Sequence, residues 1–188
     1  MNAVTPILPD LLVRQPCDAL TTWHHYRSQI LEHVATSEFA VTETLSLMSV
    51  AALDGSAIKI KPTLHARFEQ LFGLLGPEGP RAKKGKAILV PLKAVQDRIE
   101  LRNLLCHGQT MLYTHSKGSW IARIRMMTVS KGHAILKDEL LTEEAVAEAL
   151  QDLKLQSKML VARLGQFQKN LTSTPSVTPS APVAQGSR

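Results

Sequence analysis

The residues from Arg102 to Gly108 combine side chains that could transfer protons next to a phosphate. The segment reads Arg-Asn-Leu-Leu-Cys-His-Gly. His107 is suited to proton transfer because an unperturbed imidazole titrates near neutral pH. The guanidinium of Arg102 keeps its positive charge and can bind two phosphate oxygens at once, and Asn103 can orient the imidazole or the substrate. This set could support metal-free cleavage of RNA, in which the 2′-hydroxyl attacks the adjacent phosphate.

The spacing of these three residues limits how they can act together. Asn103 and His107 are one helical turn apart and therefore share a face. Arg102 and His107 diverge by roughly 140° because each residue turns an ideal helix by about 100°. They converge if the helix ends near His107, with Gly108 in the left-handed position that follows many helices. They also converge if two chains combine their residues across a two-fold axis.

The pattern Arg102-Asn103-x3-His107-Gly108 resembles the Arg-x4–6-His motif of the HEPN superfamily. These are small all-helical domains, often dimeric ribonucleases of toxin, CRISPR and phage-defence systems, and some members are non-catalytic. The resemblance implies that Arg102 and His107 are the catalytic pair and that Asn103 assists them. It implies a metal-independent endoribonuclease without a cofactor, acting as a homodimer on RNA, with an antitoxin or another protein as a further partner. The alternatives are a non-catalytic HEPN-like nucleotide-binding or dimerisation module and an unrelated helical domain.

Two further observations bear on the motif. A cationic helix end closed by glycine also explains Arg102, His107 and Gly108, since positive side chains favour the end of the helix dipole. The spacing recurs at Arg27 and His33, where Ser follows the arginine and no glycine follows the histidine. The motif from Arg102 to Gly108 is therefore the better match of the two.

A basic cluster forms the second candidate site, for nucleic-acid binding. Its members are Arg81, Lys83, Lys84 and Lys86, in a chain of net charge +6. Such a cluster could contact a phosphate backbone, although a charge run is also typical of a solvated loop. The same segment is not a P-loop, because Ala87 stands where Ser or Thr would bind magnesium.

No metal site is predicted. His24, His25 and His33 have no carboxylate or cysteine at ligand spacing. The sequence also contains no apolar run long enough for a membrane span and no signal-peptide pattern, so we expect a cytoplasmic protein without a membrane partner.

The apolar periodicity predicts a mainly α fold, an HEPN-like helical bundle with a small β-hairpin or meander inserted before the last helix. The predicted helices are 18–53 with a break near Thr36-Ser37, 63–76, 89–107 after a Gly/Pro loop over 76–86, and 142–168 capped by Thr142. Two Ser-Lys-Gly turns separate the β-prone runs of about 109–137. In the second run, Ile121, Ile124 and Met126 are expected on one face, which requires a slip in the two-residue alternation between Ile121 and Ile124. Arg123 and Arg125 are expected on the solvent-exposed face.

The 188 residues predict one domain with two flanking segments. The predicted boundaries are 1–17 for an N-terminal extension, 18–169 for the HEPN-like helical domain and 170–188 for a disordered tail. The tail is assigned because residues 171–187 contain three prolines and no charge.

Overall fold

A computed structural model describes residues 17–50, 58–115 and 118–172. Within these ranges the chain is mainly helical and has a three-stranded antiparallel sheet before the last helix, which confirms the predicted mainly α fold and the position of its small sheet. The elements are α1 (Cys17–Val50), α2 (Leu64–Leu75), α3 (Ala82–Gln96), α4 (Ile99–His107), β1 (Gln109–Thr114), β2 (Trp120–Ser130), β3 (His133–Thr142) and α5 (Glu143–Thr172). Residues 1–16 of the predicted extension and 173–188 of the predicted tail lie outside the described residues. The division into a domain and its flanks stays a prediction.

The two long helices, α1 and α5, pack against each other and run parallel. The Ser157 hydroxyl donates to the carbonyl of His33 at 3.0 Å and accepts from the Ser37 hydroxyl at 2.9 Å. Further along both helices, Gln168 Nε2 donates to Thr44 Oγ1 at 2.9 Å. The predicted break near Thr36-Ser37 is wrong, because Ser37 is buried and uses its hydroxyl to bind α5 instead of capping a helix.

Two threonines begin helices as the sequence predicts. Thr63 Oγ1 accepts from the backbone N–H of Ala66 at 3.3 Å, and Thr142 Oγ1 accepts from that of Ala145 at 3.2 Å. Each hydroxyl satisfies one of the backbone donors that the first turn of a helix leaves free. Both helix starts are thereby confirmed.

The helix predicted over 89–107 is two helices. α3 begins at Ala82, so the predicted loop is confined to residues 76–81 and the lysines that follow are helical. Gly85 is a contact point, since a Cβ there would lie 2.6 Å from the Cβ of Leu75 on α2. α3 ends at a turn of Asp97 and Arg98, and Arg98 Nη2 donates to a carboxylate oxygen of Asp152 on α5 at 3.1 Å. The apolar stripe continues across this turn, which explains why periodicity alone predicted one helix.

The sheet has the order β1-β2-β3, with both neighbouring pairs antiparallel. Lys131 and Gly132 have φ values of 51° and 80°, as a type I′ turn between β2 and β3 requires. This confirms the second Ser-Lys-Gly turn, whereas Ser116 and Lys117 of the first lie outside the described residues.

One strand face differs from the prediction. Trp120, Ala122, Ile124 and Met126 are buried on the inner face of β2. Strict alternation places Ile121 on the outer face with the two arginines, so the predicted slip is wrong.

Gly108 ends α4 in a different way from the predicted left-handed one. Its φ of −80° and ψ of 143° are extended, and its N–H donates to the carbonyl of Leu104 at 2.8 Å. A Cβ at this position would overlap Ile124 Cγ2 of β2 and lie 2.5 Å from the carbonyl oxygen of Leu104. Glycine is required here by the close approach of β2, not by a positive φ.

Gly108→Ala is expected to destabilise the protein by about 1–3 kcal/mol, as overpacking of a tight contact does. Gly73→Ala is the matched control, because nothing lies within 4 Å of a Cβ at that helical position. The control should be neutral or stabilising by about 0.5–1 kcal/mol. Urea unfolding of both variants measures the difference. Equal stability of the two variants would contradict the close approach of β2.

Candidate functional site

The end of α4 is fixed by neighbouring elements, and this determines where its polar side chains lie. Leu104 and Leu105 are buried in the core beneath the helix. Arg27 Nε of α1 donates to the carbonyl oxygen of Leu105 at 2.8 Å. That carbonyl is one of those that the last turn of a helix leaves without an intrahelical partner. Arg27, the arginine of the other Arg-to-His pair with this spacing, therefore caps the C-terminal end of α4.

Asn103 and His107 line one cleft of about 650 Å³. The cleft lies between α4, the turn that precedes it, the β2–β3 hairpin and the start of α2. Its remaining lining residues are His65, Gln96, Asp97, Ile99, Glu100, Met126, Met127, Thr128 and Lys137. The side chain of His107 is exposed and that of Asn103 is half-buried. The shared face inferred from their spacing is the face that borders the cleft.

Arg102 is not among the residues that line this cleft. Its guanidinium is half-buried, and Nη1 donates to Asn103 Oδ1 at 3.0 Å. The structure therefore brings Arg102 to Asn103, and Asn103 to the cleft of His107, but it does not bring Arg102 into that cleft. Within one chain, Arg102 can act on the cleft by orienting the Asn103 amide.

A second imidazole, that of His65, lines the same cleft and was missed by the sequence reasoning. His65 lies in the first turn of α2, and its Nε2 is 3.1 Å from Glu69 Oε1 one turn later. No spacing rule connects His65 with His107, because the two helices meet only through the tertiary fold. The available signal was local: a histidine and a glutamate one turn apart on an exposed helix face.

The charged side chains around the cleft are largely paired with each other. Lys137 of β3 forms an ion pair with Glu100 of α4. The hydrogen bond from Lys137, and then its charge, hold the pKa of the Glu100 carboxyl below its ordinary value, against a smaller opposing effect of desolvation. Asp97 is paired with Lys93 on α3. The cleft therefore presents imidazole and amide groups rather than free cations.

The basic cluster lies away from the cleft. Arg81 is the residue before α3, and Lys83, Lys84 and Lys86 are exposed in its first turns. The other end of α3 borders the cleft through Gln96. A helix of this length separates the two ends by about 20 Å at 1.5 Å per residue.

Comparisons of the chain with known protein families, with curated proteins and with solved structures gave no match. No group of histidine, cysteine and acidic residues suited to a metal ion occurs within the described ranges 17–50, 58–115 and 118–172. Of the helices in this part of the chain, none is both long and apolar enough to cross a membrane.

The ion pair beside the cleft gives a prediction for pH dependence. Since the pKa of Glu100 is lowered in the folded protein, the pair stabilises the fold above the ordinary pKa of glutamate, and this stabilisation is lost as the pH falls through the lowered value. NMR titration of the Glu100 carboxyl should give a midpoint below that of unfolded protein. Lys137→Met should move the midpoint upward. An unchanged midpoint in the variant would contradict the assigned cause.

Proposed function

We propose that the protein is a cytoplasmic, metal-independent endoribonuclease of HEPN type, a homodimer that acts as a toxin or phage-defence effector. The observation that carries the proposal is that an exposed His107 and a half-buried Asn103 line one cleft that also contains the imidazole of His65. The resemblance of Arg102-Asn103-x3-His107-Gly108 to the HEPN motif supports the same assignment.

Two imidazoles in one cleft supply the two proton transfers that RNA cleavage needs. A neutral imidazole accepts the proton of the 2′-hydroxyl while the 2′-oxygen bonds to phosphorus. The bond to the 5′-oxygen breaks, and a protonated imidazole donates its proton to that leaving oxygen. We assign these roles to His107 and His65, with Glu69 orienting the His65 ring through their contact at 3.1 Å. Products then end in a 2′,3′-cyclic phosphate and a 5′-hydroxyl.

The remaining polar groups position the phosphate. Asn103 can donate from its amide nitrogen because its Oδ1 accepts from Arg102 at 3.0 Å. Positive charge comes from Lys137 if a phosphate displaces Glu100 from it. The basic cluster of Arg81, Lys83, Lys84 and Lys86 would hold a more distant part of the RNA chain.

One observation favours a second candidate function, a non-catalytic HEPN-like nucleotide-binding or dimerisation module. Arg102 does not line the cleft, whereas cleavage of the HEPN type pairs the arginine with the histidine. In this alternative Asn103 and His107 bind a nucleotide without cleaving it.

His107→Ala should lower the rate of RNA cleavage by at least about 100-fold, the low end for loss of a general acid or base. His65→Ala should cause a loss of the same order. The matched control is His24→Ala, since His24 is exposed on α1 and does not line this cleft. Cleavage by full-length protein is measured on a labelled RNA. A His107→Ala protein that retains full activity would rule out the assignment.

Cleavage should persist in excess EDTA, because the proposed proton transfers use imidazoles alone. The products identify the chemistry: the 2′,3′-cyclic phosphate resists phosphatase until acid opens it. Binding of the RNA without cleavage would favour the non-catalytic alternative. Activity that requires magnesium, with 5′-phosphate products, would contradict the proposal.

A further inference from the structure

The third strand, β3, has an open edge. It is the outermost strand of the sheet order β1-β2-β3, and within the described residues no other strand pairs with it. It spans ten residues from His133 to Thr142, contains no proline, and is exposed along almost its whole length. Such an edge presents a row of unpaired backbone N–H and C=O groups that another strand can bind.

The side chains next to this edge are apolar on both faces of the sheet. Leu136 and Leu140, on the outer face, are 47% and 51% exposed, and Ile135 on the inner face is 45% exposed. Three charged residues lie between Leu136 and Leu140: Asp138, which is paired with arginines of β2 in its own chain, and Lys137 and Glu139. A partner for this edge must cover the apolar side chains and match the charges of Lys137 and Glu139.

We propose that this partner is the β3 strand of a second copy of the chain, paired antiparallel about a two-fold axis at Asp138. The two sheets then form one continuous six-stranded sheet. The inference specifies the interface of the homodimer proposed above, and it does not depend on RNA cleavage. Isologous pairing of this kind closes the open edge without leaving another strand exposed at the interface.

The backbone of β3 has the right hydrogen-bond phase for this pairing. The two-residue turn of Lys131 and Gly132 makes Ser130 and His133 a hydrogen-bonded pair. Hydrogen-bonded and non-hydrogen-bonded pairs alternate along an antiparallel hairpin, so the odd-numbered residues of β3 bond to β2. The even-numbered residues of 134–142 therefore direct their N–H and C=O groups away from β2. A two-fold axis at any residue of the strand pairs even with even positions, and so brings these outward groups of one strand opposite the outward groups of the other.

The side chains select the register. With the axis at Asp138, Lys137 of each copy is opposite Glu139 of the other. Lys137, which pairs with Glu100 in its own chain, thereby gains a second carboxylate on each side of the axis. Leu136 is opposite Leu140 on the outer face, so the exposed leucines of both copies contact each other. Cross-strand pairs of these two kinds are the ones that stabilise antiparallel sheets.

The neighbouring registers lack this match. An axis at Lys137 places the two copies of Lys137 opposite each other and Leu136 opposite Asp138. An axis at Glu139 places the two copies of Glu139 opposite each other and Leu140 opposite Asp138. Like charges directly opposite each other destabilise a strand pair. Each of these registers also separates Lys137 from Glu139 of the other copy, because it places Glu139 opposite Ile135 or Lys137 opposite Leu141. Charge complementarity therefore favours the axis at Asp138.

The two Asp138 carboxylates that meet at the axis are already neutralised. In each chain Arg123 Nε donates to Asp138 Oδ1 at 2.8 Å, and Arg125 Nε lies 3.8 Å from the other oxygen. Four guanidinium groups therefore surround two carboxylates at the centre of the interface. The arginines of each chain thereby offset the repulsion between the two carboxylates.

The test is a charge exchange across the axis, read out as the dissociation constant of the full chain by analytical ultracentrifugation. Glu139→Lys places two lysines opposite each other on both sides of the axis, and it should raise the dissociation constant by about tenfold or more. Lys137→Glu should act in the same direction. Because Lys137 also pairs with Glu100 of its own chain, this exchange is made in a Glu100→Gln background. There the double variant Lys137→Glu/Glu139→Lys restores both interchain ion pairs, and should therefore recover most of the affinity of the Glu100→Gln chain.

Glu148→Lys is the matched control, because it makes the same charge change at an exposed position of α5. It should leave the dissociation constant unchanged, and circular dichroism checks that every variant folds. A dimer that Glu139→Lys does not weaken, or that the double variant does not restore, would overturn the β3 interface while leaving the homodimer intact. A wild-type chain that is monomeric at all concentrations would overturn both, and an RNA cleavage assay on the same sample judges the nuclease proposal separately.

Discussion

The close contact between Gly108 and Ile124 of β2 is the constraint on which the candidate site depends. Because no side chain separates the end of α4 from the sheet, the helix stops against β2 and its last turn cannot shift. Arg27 adds a hydrogen bond to the carbonyl of Leu105, so α1 holds the same turn from another side. The polar face of α4 is thereby directed into the cleft between α2 and the β2–β3 hairpin.

The local parts of the fold could be predicted from the sequence, whereas contacts between elements could not. Thr63 and Thr142 cap helices through hydrogen bonds within one turn, and Gly132 supplies a positive φ that the two-residue turn between β2 and β3 requires. Ser37 and Gly85 were misread because each has a partner on another helix. A glycine or serine that permits close packing has the same local signature as one that ends a helix.

The same distinction explains which parts of the candidate site could be predicted from the sequence. Asn103 and His107 share a face by helix geometry, so their common cleft could be expected from spacing. The direction of the Arg102 guanidinium depends on its hydrogen bond to Asn103. The position of the His65 imidazole in the cleft depends on how α2 packs. Neither follows from a pattern along the chain. A motif defined by spacing therefore located the cleft but not its complete set of side chains.

The most direct test of this account is whether a phosphate-linked ligand occupies the cleft of His107. Imidazole resonances of the full-length protein can be followed by NMR while a 2′-deoxy dinucleotide, which cannot be cleaved, is added. We expect the His107 and His65 resonances to shift with one saturation curve while that of His24 stays unchanged. Saturation of binding with no change at His107 would contradict the account.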